Sequence, residues 1–137
     1  MIRYTTSIES VAEADLEGPF FDGWSNPPDQ ATHLALLRGS DHVVLARHEG
    51  DDQIVGFATA ITDGVLSAFI PFVEVVGEYR QRGIGSELVR RIIEAVGPIY
   101  AIDAVCDPDL QPFYRHLGLE AGHAVMLRDY ANQNGRK

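Results

Sequence analysis

A short basic, glycine-rich segment, residues 80–86 (RQRGIGS), contains the residue types best suited to binding chemistry. Gly83 and Gly85 allow a sharp backbone turn and the close approach of a ligand. An amphipathic helix is predicted to begin at Ile84. The unpaired N–H groups of its first turn and the positive end of its dipole then both point toward the glycine turn. Together with the two arginines, this arrangement predicts a site for a pyrophosphate group.

Two familiar nucleotide-binding motifs do not fit this segment. A P-loop ends in Gly-Lys-Ser/Thr, and the segment has no lysine. A dinucleotide-binding fingerprint needs a third glycine three residues after Gly85, where this chain has Leu88. The pattern that remains is Arg-x-x-Gly-x-Gly between a predicted strand and a predicted helix. Taken alone, this pattern leaves open an ordinary strand-to-helix turn with a few surface arginines.

The elements around the segment follow from the spacing of apolar residues. In the stretch 73–96, a strand leads into the glycine turn, and the helix after it has apolar residues on one side and charged residues on the other. Gly97 and the proline after it end this helix. Pro71 is awkward within a central strand and predicts a bulge or a break there.

The rest of the chain predicts a mixed sheet with helices, an α/β fold. Before the segment we expect the strand Ile2–Ile8, a helix with Ser10 as N-cap and Glu13 completing a capping box, a second helix after residues 25–28, and the strands His42–Arg47, Gln53–Ile61 and Val65–Val76. After it we expect the strand Ile99–Cys106, a helix following Asp107 and a last strand Ala124–Asp129.

The predicted order β-α-α-β-β-β-α-β-α-β resembles the GNAT-type N-acetyltransferases along nearly the whole chain. Two motifs account for the resemblance: residues 75–86 (VVGEYRQRGIGS) look like the family's acetyl-CoA loop, and residues 107–119 (DPDLQPFYRHLGL) look like its Phe-Tyr helix. The resemblance implies an acyl-CoA N-acyltransferase fold. It predicts a single domain over residues 1–130 and a polar, frayed tail over residues 131–137.

The resemblance also implies where acetyl-CoA binds. The pyrophosphate is expected at the backbone amides and side chains of Arg80, Gln81, Arg82, Gly83, Ile84, Gly85 and Ser86. The strand edge at Val75 and Val76 is expected to pair with the pantetheine arm, and Phe113 belongs to the coenzyme-binding set. Asp107 takes the place of an asparagine that often contacts the pantetheine, and an ionised aspartate only accepts hydrogen bonds.

The same resemblance implies the direct transfer of an acetyl group to a primary amine in a ternary complex. Tyr114 is expected to protonate the leaving thiolate. Glu74 is the best candidate for the base, because it lies in an otherwise apolar strand where isolation raises a carboxyl pKa. The alternative for Glu74 is a solvated residue on a sheet face. Cys106 is interpreted as a packed thiol rather than an acylated nucleophile.

Composition limits the partners. With 20 acidic and 11 basic residues the net charge is −9, which argues against a nucleic-acid or anionic-membrane partner and is compatible with a cationic small substrate. No apolar run is long enough to span a membrane, and no secretory leader is visible. One cysteine favours the reducing cytoplasm. The five histidines show no metal-ligand spacing, so no metal is expected.

Three questions stay open from the sequence. Phe20, Phe21 and Trp24 either pack a helix onto the sheet or line an acceptor pocket. The chain is predicted to be an N-acetyltransferase for a small cationic amine, and the alternatives are a catalytically silent CoA-binding sensor or scaffold, or an acetyltransferase for proteins or peptides. A homodimer is also an open alternative.

Overall fold

The fold is a five-stranded mixed sheet with three helices, seen in a computed structural model that describes residues 1–136. The strands are β1 (Ile2–Thr5), β2 (His42–His48), β3 (Ile54–Thr62), β4 (Ser67–Val75) and β5 (Ala101–Ala104). The helices are α1 (Gln30–Gly39), α2 (Ile84–Val96) and α3 (Gln111–His116). The strands lie in sequence order across the sheet, and all neighbours are antiparallel except β4 and β5. The predicted GNAT-like mixed sheet is therefore confirmed.

Both faces of the sheet are covered by apolar residues. The amphipathic helix α2 buries Leu88 and Ile92 completely against one face. On the other face, Leu37 of α1 packs together with Leu45 and Phe57 of the sheet, and all three are fully buried. Because β3 contributes to both layers, it is buried along nearly its whole length.

The parallel strands β4 and β5 stay paired over only four residues, from Ser67 to Ile70 of β4. Directly after Ile70, the pairing of β4 with β3 also shifts, because β4 contains one residue more than β3 between the pairs Thr59–Phe72 and Ile61–Phe69. The extra residue falls at Ile70 and Pro71, as the sequence predicted. Beyond this bulge, one edge of β4 is left open.

The N-terminal part is less regular than the sequence predicted. The strand Ile2–Ile8 ends at Thr5, and the helix expected after Ser10 is a single 3-10 turn, Glu13–Leu16. This turn is held by Asp15, whose carboxylate accepts the Ala12 N–H at 2.8 Å, and not by a Ser10–Glu13 capping box. Gly18 and Pro19 follow after one further residue and prevent a longer helix.

The C-terminal part corrects two further predictions. The last strand, Ala124–Asp129, is absent: residues 119–129 have no helix or strand structure and pair with no strand among residues 1–136. The sequence predicted a frayed tail, but the described part of the tail is ordered. Gln133 and Arg136 contact Asn26 and Asp29, just before α1. Lys137 lies outside the described residues. None of the helices in the described part of the chain is long and apolar enough to cross a membrane.

Candidate active site

The glycine segment forms a row of free backbone amides at the start of α2. Gly83 is the N-cap residue and has a left-handed conformation with φ +81°, and Gln81 also has a positive φ of +63°. Within residues 1–136, the backbone N–H groups from Gln81 to Ser86 have no hydrogen-bond acceptor. Six consecutive free donors next to the positive end of a helix dipole make a site for an anion such as a pyrophosphate.

The two arginines of this segment turn away from the row of amides. The Arg80 N–H is bonded to Gly77 O at 3.2 Å, so the row begins one residue later than predicted. The Arg80 side chain donates from Nε to Val75 O at 3.0 Å, and its Nη1 lies 4.0 Å from an Asp22 carboxylate oxygen. The Arg82 guanidinium lies over the Tyr79 ring at 5.1 Å. The free amides are thus available to an anion in this structure, whereas both guanidinium groups already have contacts within the chain.

The open edge of β4 is at Val75 and not at Val76. The Val76 N–H is bonded to Val55 O at 2.9 Å on the β3 side, and the Val76 side chain is buried. Since neighbouring residues in a strand point their polar groups to opposite edges, those of Val75 face the open edge. There, the Val75 carbonyl accepts the bond from Arg80. The Val75 N–H is therefore available to an added extended ligand, whereas the Val76 N–H already has an acceptor within the sheet.

Helix α3 lies against the glycine segment. Phe113 is the nearest side chain to Gly85, and a Cβ at Gly85 would lie 3.5 Å from the end of its ring. The next residue, Tyr114, is half-buried and lines a cleft together with Cys106. Burial, with a smaller contribution from Cys106, raises the pKa of Tyr114, so its hydroxyl keeps its proton and can donate it.

Asp107, one of the predicted coenzyme-binding residues, lies at the surface just before a short turn. It precedes a 3-10 turn, Pro108–Leu110, and its side chain is exposed and does not cap that turn. Its charge contributes to the raised pKa of the Cys106 thiol, although burial is the larger cause. A raised pKa disfavours the reactive thiolate, but Cys106 is only partly buried and lines the cleft beside Tyr114, so the structure does not show the packed core thiol predicted from the sequence.

Glu74 lies on the face of β4 opposite α2 and is held by one specific bond. Its Oε1 accepts the Phe21 N–H at 2.8 Å, and Phe21 has a left-handed conformation with φ +59°. Burial raises the pKa of Glu74, while the Phe21 N–H and the charge of Arg80 act in the opposite direction. The carboxyl group is therefore half-buried and fixed in position, which contradicts the alternative of a freely solvated residue.

Comparison with known proteins agrees with this geometry. The model of the acetyltransferase (GNAT) family matches residues 10–119. The chain belongs to the GNAT family. A candidate acetyltransferase from Deinococcus radiodurans R1, known as a crystal structure, is 44% identical with a TM-score of 0.95, and the match covers 99% of this chain and 94% of that one.

More distant relatives have the same family name or the same fold. An uncharacterised N-acetyltransferase from Pyropia yezoensis is 26% identical over 99 residues, which cover 70% of this chain and 57% of the relative. The chain spans 29% to 57% of the length of the curated relatives it matches. The structure of AAC(6')-Iy with the bisubstrate analogue CoA-S-monomethyl-acetylneamine has a TM-score of 0.69 at 20% identity, covering 94% of this chain and 97% of that one, and shows the shared fold.

GNAT acetyltransferases use acetyl-CoA as the acetyl donor, and the site fits this molecule. The row of free amides at 81–86 suits its diphosphate, and the open edge at Val75 suits an extended arm with amide groups. Gly85 leaves space between the loop and Phe113 that a side chain would fill. The free amides at 81–86 and the open edge at Val75 lie close together along the chain.

A cluster of aromatic rings lies on the same face of the sheet as Glu74. Phe21 is buried and contacts Trp24, His33, Phe57 and Phe72, with ring centroids 4.9 to 6.1 Å apart. Phe20 joins this cluster through His33 and Phe57. Phe20 and Phe21 therefore pack α1 onto the sheet, and the half-buried Trp24 ring lies at the margin of the cluster.

Three residues around the site were not singled out from the sequence. His33 is buried at the centre of the aromatic cluster, and Phe72 shares the sheet face of Glu74 because it lies two residues earlier. Gly56 lies opposite Val75, and a Cβ there would lie only 2.9 Å from Glu74 O and 3.2 Å from a methyl carbon of Leu88. A glycine within a predicted strand is the signal for such a close approach.

Proposed function

We propose that this GNAT protein transfers the acetyl group of acetyl-CoA to a primary amine of a small cationic molecule, by direct attack in a ternary complex. The observation that supports this most is the arrangement of two neighbouring residues on β4. Val75 lies at the open strand edge near the free amides at 81–86. Glu74 presents a half-buried carboxyl group on the face of β4 opposite α2. The proposed binding edge for the acetyl donor and the proposed proton acceptor are therefore neighbouring residues of one strand.

The acceptor ammonium group must lose two protons, and the sulfur must gain one. Glu74 takes the first proton from the ammonium group, directly or through a water molecule, and the neutral amine attacks the thioester carbonyl. The new C–N bond forms as the C–S bond breaks, and the nitrogen releases its second proton to water. Tyr114 gives its proton to the departing thiolate, and its raised pKa keeps that proton in place until then. Both groups return to their starting states when the solvent exchanges their protons.

The preference for a cationic acceptor follows from the groups around Glu74. The carboxylate of Asp22 lies near Glu74 and contributes to its raised pKa, so two acidic groups share this region. The only nearby cation described there, Arg80, is already bonded to Val75 O and lies beside Asp22. The half-buried Trp24 offers a ring face of the kind that attracts ammonium groups. The net charge of −9 acts in the same direction.

The role of Glu74 is tested by the pH dependence of turnover in Glu74→Gln. Glutamine keeps the shape and the oxygen that accepts the Phe21 N–H, but it cannot take a proton. We expect kcat to fall by roughly 10²–10⁴. We also expect the increase of kcat that comes from deprotonation of Glu74 to disappear from the pH profile. Glu94→Gln changes an exposed glutamate of α2 and is the matched control. A pH profile equal to that of the wild type would remove Glu74 from the mechanism.

The class of acceptor is tested with a panel of amines and a thioester-consumption assay. Polyamines, amino sugars and lysine-like compounds are expected to react faster than neutral or anionic amino acids. A preference for anionic acceptors would contradict the charge argument, and a strong preference for basic peptides would favour a protein substrate. Acetyl-CoA binding without turnover of any amine would favour the silent sensor.

A further inference from the structure

Residues 18–24 (GPFFDGW), here called the aromatic turn, contain a strained residue at the place where the turn meets β4. Phe21 has a φ of +59°, and a left-handed backbone is rare for a residue with a bulky side chain. Strained residues of this kind persist only where the surrounding structure determines them, and they are frequent at functional sites. The conformation of Phe21 therefore needs a cause other than the preference of the residue itself.

Two contacts hold the backbone of Phe21 in this conformation. The ring is buried in the aromatic cluster, where it contacts His33 and Phe57, and the carbonyl accepts the Trp24 N–H at 3.1 Å. The N–H is the remaining polar group of Phe21, and it donates to Glu74 Oε1 at 2.8 Å. A backbone N–H cannot rotate as a hydroxyl or an ammonium group can. The direction of this bond is therefore set by the aromatic turn and not by Glu74.

The two carboxylate oxygens of Glu74 differ as a result. Oε1 is occupied by the Phe21 N–H, whereas Oε2 accepts no hydrogen bond within residues 1–136. Oε2 is also not one of the buried polar atoms that lack a partner, so water or a ligand can reach it. A group that takes a proton must lie within hydrogen-bond reach of that proton. Of the two oxygens, Oε2 is the one with a free position for it.

The charged groups near Glu74 do not fix its carboxyl group in the same way. Asp22 and Arg80 act on it through their charges, and neither is hydrogen-bonded to it. His33, which packs against the Phe21 ring, has its pKa lowered to about 4 by burial and is uncharged at neutral pH. Burial raises the pKa of Glu74, and the Phe21 N–H opposes this more than Arg80 does. The N–H therefore both orients the carboxyl group and favours its ionised form.

We propose that Phe21 is a positioning residue for the acetyl transfer. Its N–H holds Oε1 of Glu74, so that Oε2 faces the acceptor and takes the first proton of the ammonium group. In this step an N–H bond of the acceptor breaks and an O–H bond forms on Oε2. The assignment rests on the role of Glu74 proposed above, and Phe21 itself needs no contact with either substrate. Without its N–H, the carboxyl group would rotate, and Oε2 would face the acceptor for only part of the time.

The first test removes only this N–H. Nonsense suppression places phenyllactic acid at position 21, which turns the amide between Phe20 and Phe21 into an ester and keeps the ring. We expect the pKa of Glu74, followed by NMR of its labelled carboxyl carbon, to rise, because the N–H favours the ionised form. At high pH, where Glu74 is ionised in both proteins, we expect kcat to fall roughly 10–100-fold, the scale of one hydrogen bond to a charged group. The KM for acetyl-CoA should stay unchanged.

The matched control is the same ester one residue earlier. The Phe20 N–H donates to Gly18 O at 2.9 Å, so phenyllactic acid at position 20 breaks one bond of the same turn and leaves Glu74 its donor. This protein should keep the wild-type pKa of Glu74 and the wild-type kcat. Equal losses of kcat in the two ester proteins would show that only the stability of the turn matters, and would overturn the proposal.

The role of Glu74 is separated from that of Phe21 in the Glu74→Gln background. No base remains to be positioned there, so the ester at position 21 should lower kcat no further. If Glu74→Gln alone left kcat unchanged, the proposed function would lose its base and this assignment would fall with it. If Glu74→Gln lowered kcat but the ester at position 21 kept the wild-type pKa and kcat, only the positioning role of Phe21 would be wrong.

Phe21→Gly and Phe21→Ala test the same point with ordinary residues. Both variants remove the ring, but only glycine adopts a φ of +59° without a steric cost. We therefore expect kcat at high pH to be higher in Phe21→Gly than in Phe21→Ala. A role in packing alone predicts the reverse order, because alanine buries more apolar surface and loses less backbone entropy on folding. The reverse order would overturn the proposal.

Discussion

Tyr114 and Glu74 have pKa values that are raised by the same physical cause, with different consequences for their protonation. Burial is the main cause that raises the pKa of each group. For Tyr114 this keeps a proton on the hydroxyl at neutral pH, while for Glu74 it brings a weak base closer to the pH at which an amine gives up its proton. In the mechanism that we propose, one physical cause therefore prepares both the acid on α3 and the base on β4.

The acid role predicts a specific loss in Tyr114→Phe. The ring keeps its packing against Phe113, and only the proton donor is removed. We expect kcat to fall by roughly 10²–10⁴ with little change in the affinity for acetyl-CoA, measured by calorimetry beside steady-state kinetics. Tyr130→Phe, at an exposed tyrosine, should leave both values unchanged. An unchanged kcat in Tyr114→Phe would assign protonation of the thiolate to water or to another residue.

His33 predicts a pH-dependent stability that is separate from catalysis. Its ring is buried among aromatic rings, its Nε2 has no hydrogen-bond partner among residues 1–136, and burial lowers its pKa from 6.5 to about 4. Between these values the unfolded chain binds a proton that the folded chain does not, so the free energy of unfolding falls as the pH drops from 6.5 to about 4. The full loss corresponds to about 3 kcal/mol.

The measurement is urea denaturation at several pH values for the wild type and for His33→Phe. Phenylalanine keeps an aromatic ring in the cluster and cannot bind a proton, so the stability of the variant should vary less over this pH range. His42→Phe, at a half-exposed histidine of β2, is the control and should retain the slope. Equal slopes in the wild type and His33→Phe would assign the acid sensitivity to other groups.

The strand, turn and helix around the glycine segment act as one element. Gly83→Val is expected to abolish most of the thermal stabilisation by acetyl-CoA, because the left-handed backbone at this residue positions the free amides. At about 100 times its Kd, acetyl-CoA should stabilise the wild type by about 2.7 kcal/mol. Gly64→Val is a close control: its φ is +75° and its Cβ would also meet no atom within 4 Å, but it lies in a distant hairpin.

Both variants should lose intrinsic stability, and only Gly83→Val should lose the response to acetyl-CoA. Circular dichroism before the measurement shows whether each variant is folded. A Gly83→Val protein that responds to acetyl-CoA like the wild type would mean that the diphosphate binds elsewhere.

The sequence was most informative where the structure depends on neighbouring residues. The glycine turn, the helix α2 and the bulge at Pro71 follow from short local patterns, and the structure confirms them. The predicted Ser10 cap was wrong, because the nearby Gly18 and Pro19 leave room for only one 3-10 turn. The aromatic cluster could not be predicted, since it joins Phe21, His33 and Phe72 from three separate elements.

At the scale of the whole molecule, the sheet is complete on one side of β4 and incomplete on the other. The strands β1 to β4 form a continuous antiparallel unit packed on both faces. By contrast, β5 and α3 contain no buried residue, and the strand predicted after them is missing. The sequence predicted that strand from its composition, but composition does not show whether the segment finds a strand edge to pair with.

Gly56 has a consequence for anyone who wishes to build this base into another protein. Glu74 cannot be transplanted as a single substitution, because its backbone carbonyl lies only 2.9 Å from the place of a Cβ at position 56, which is opposite Val75 on β3. Its carboxyl group also depends on an amide donor 53 residues earlier in the chain. The smallest portable unit is thus the β3–β4 hairpin with its glycine and a grafted loop that supplies a left-handed residue. A design that copies only the carboxylate would obtain an ordinary solvated glutamate.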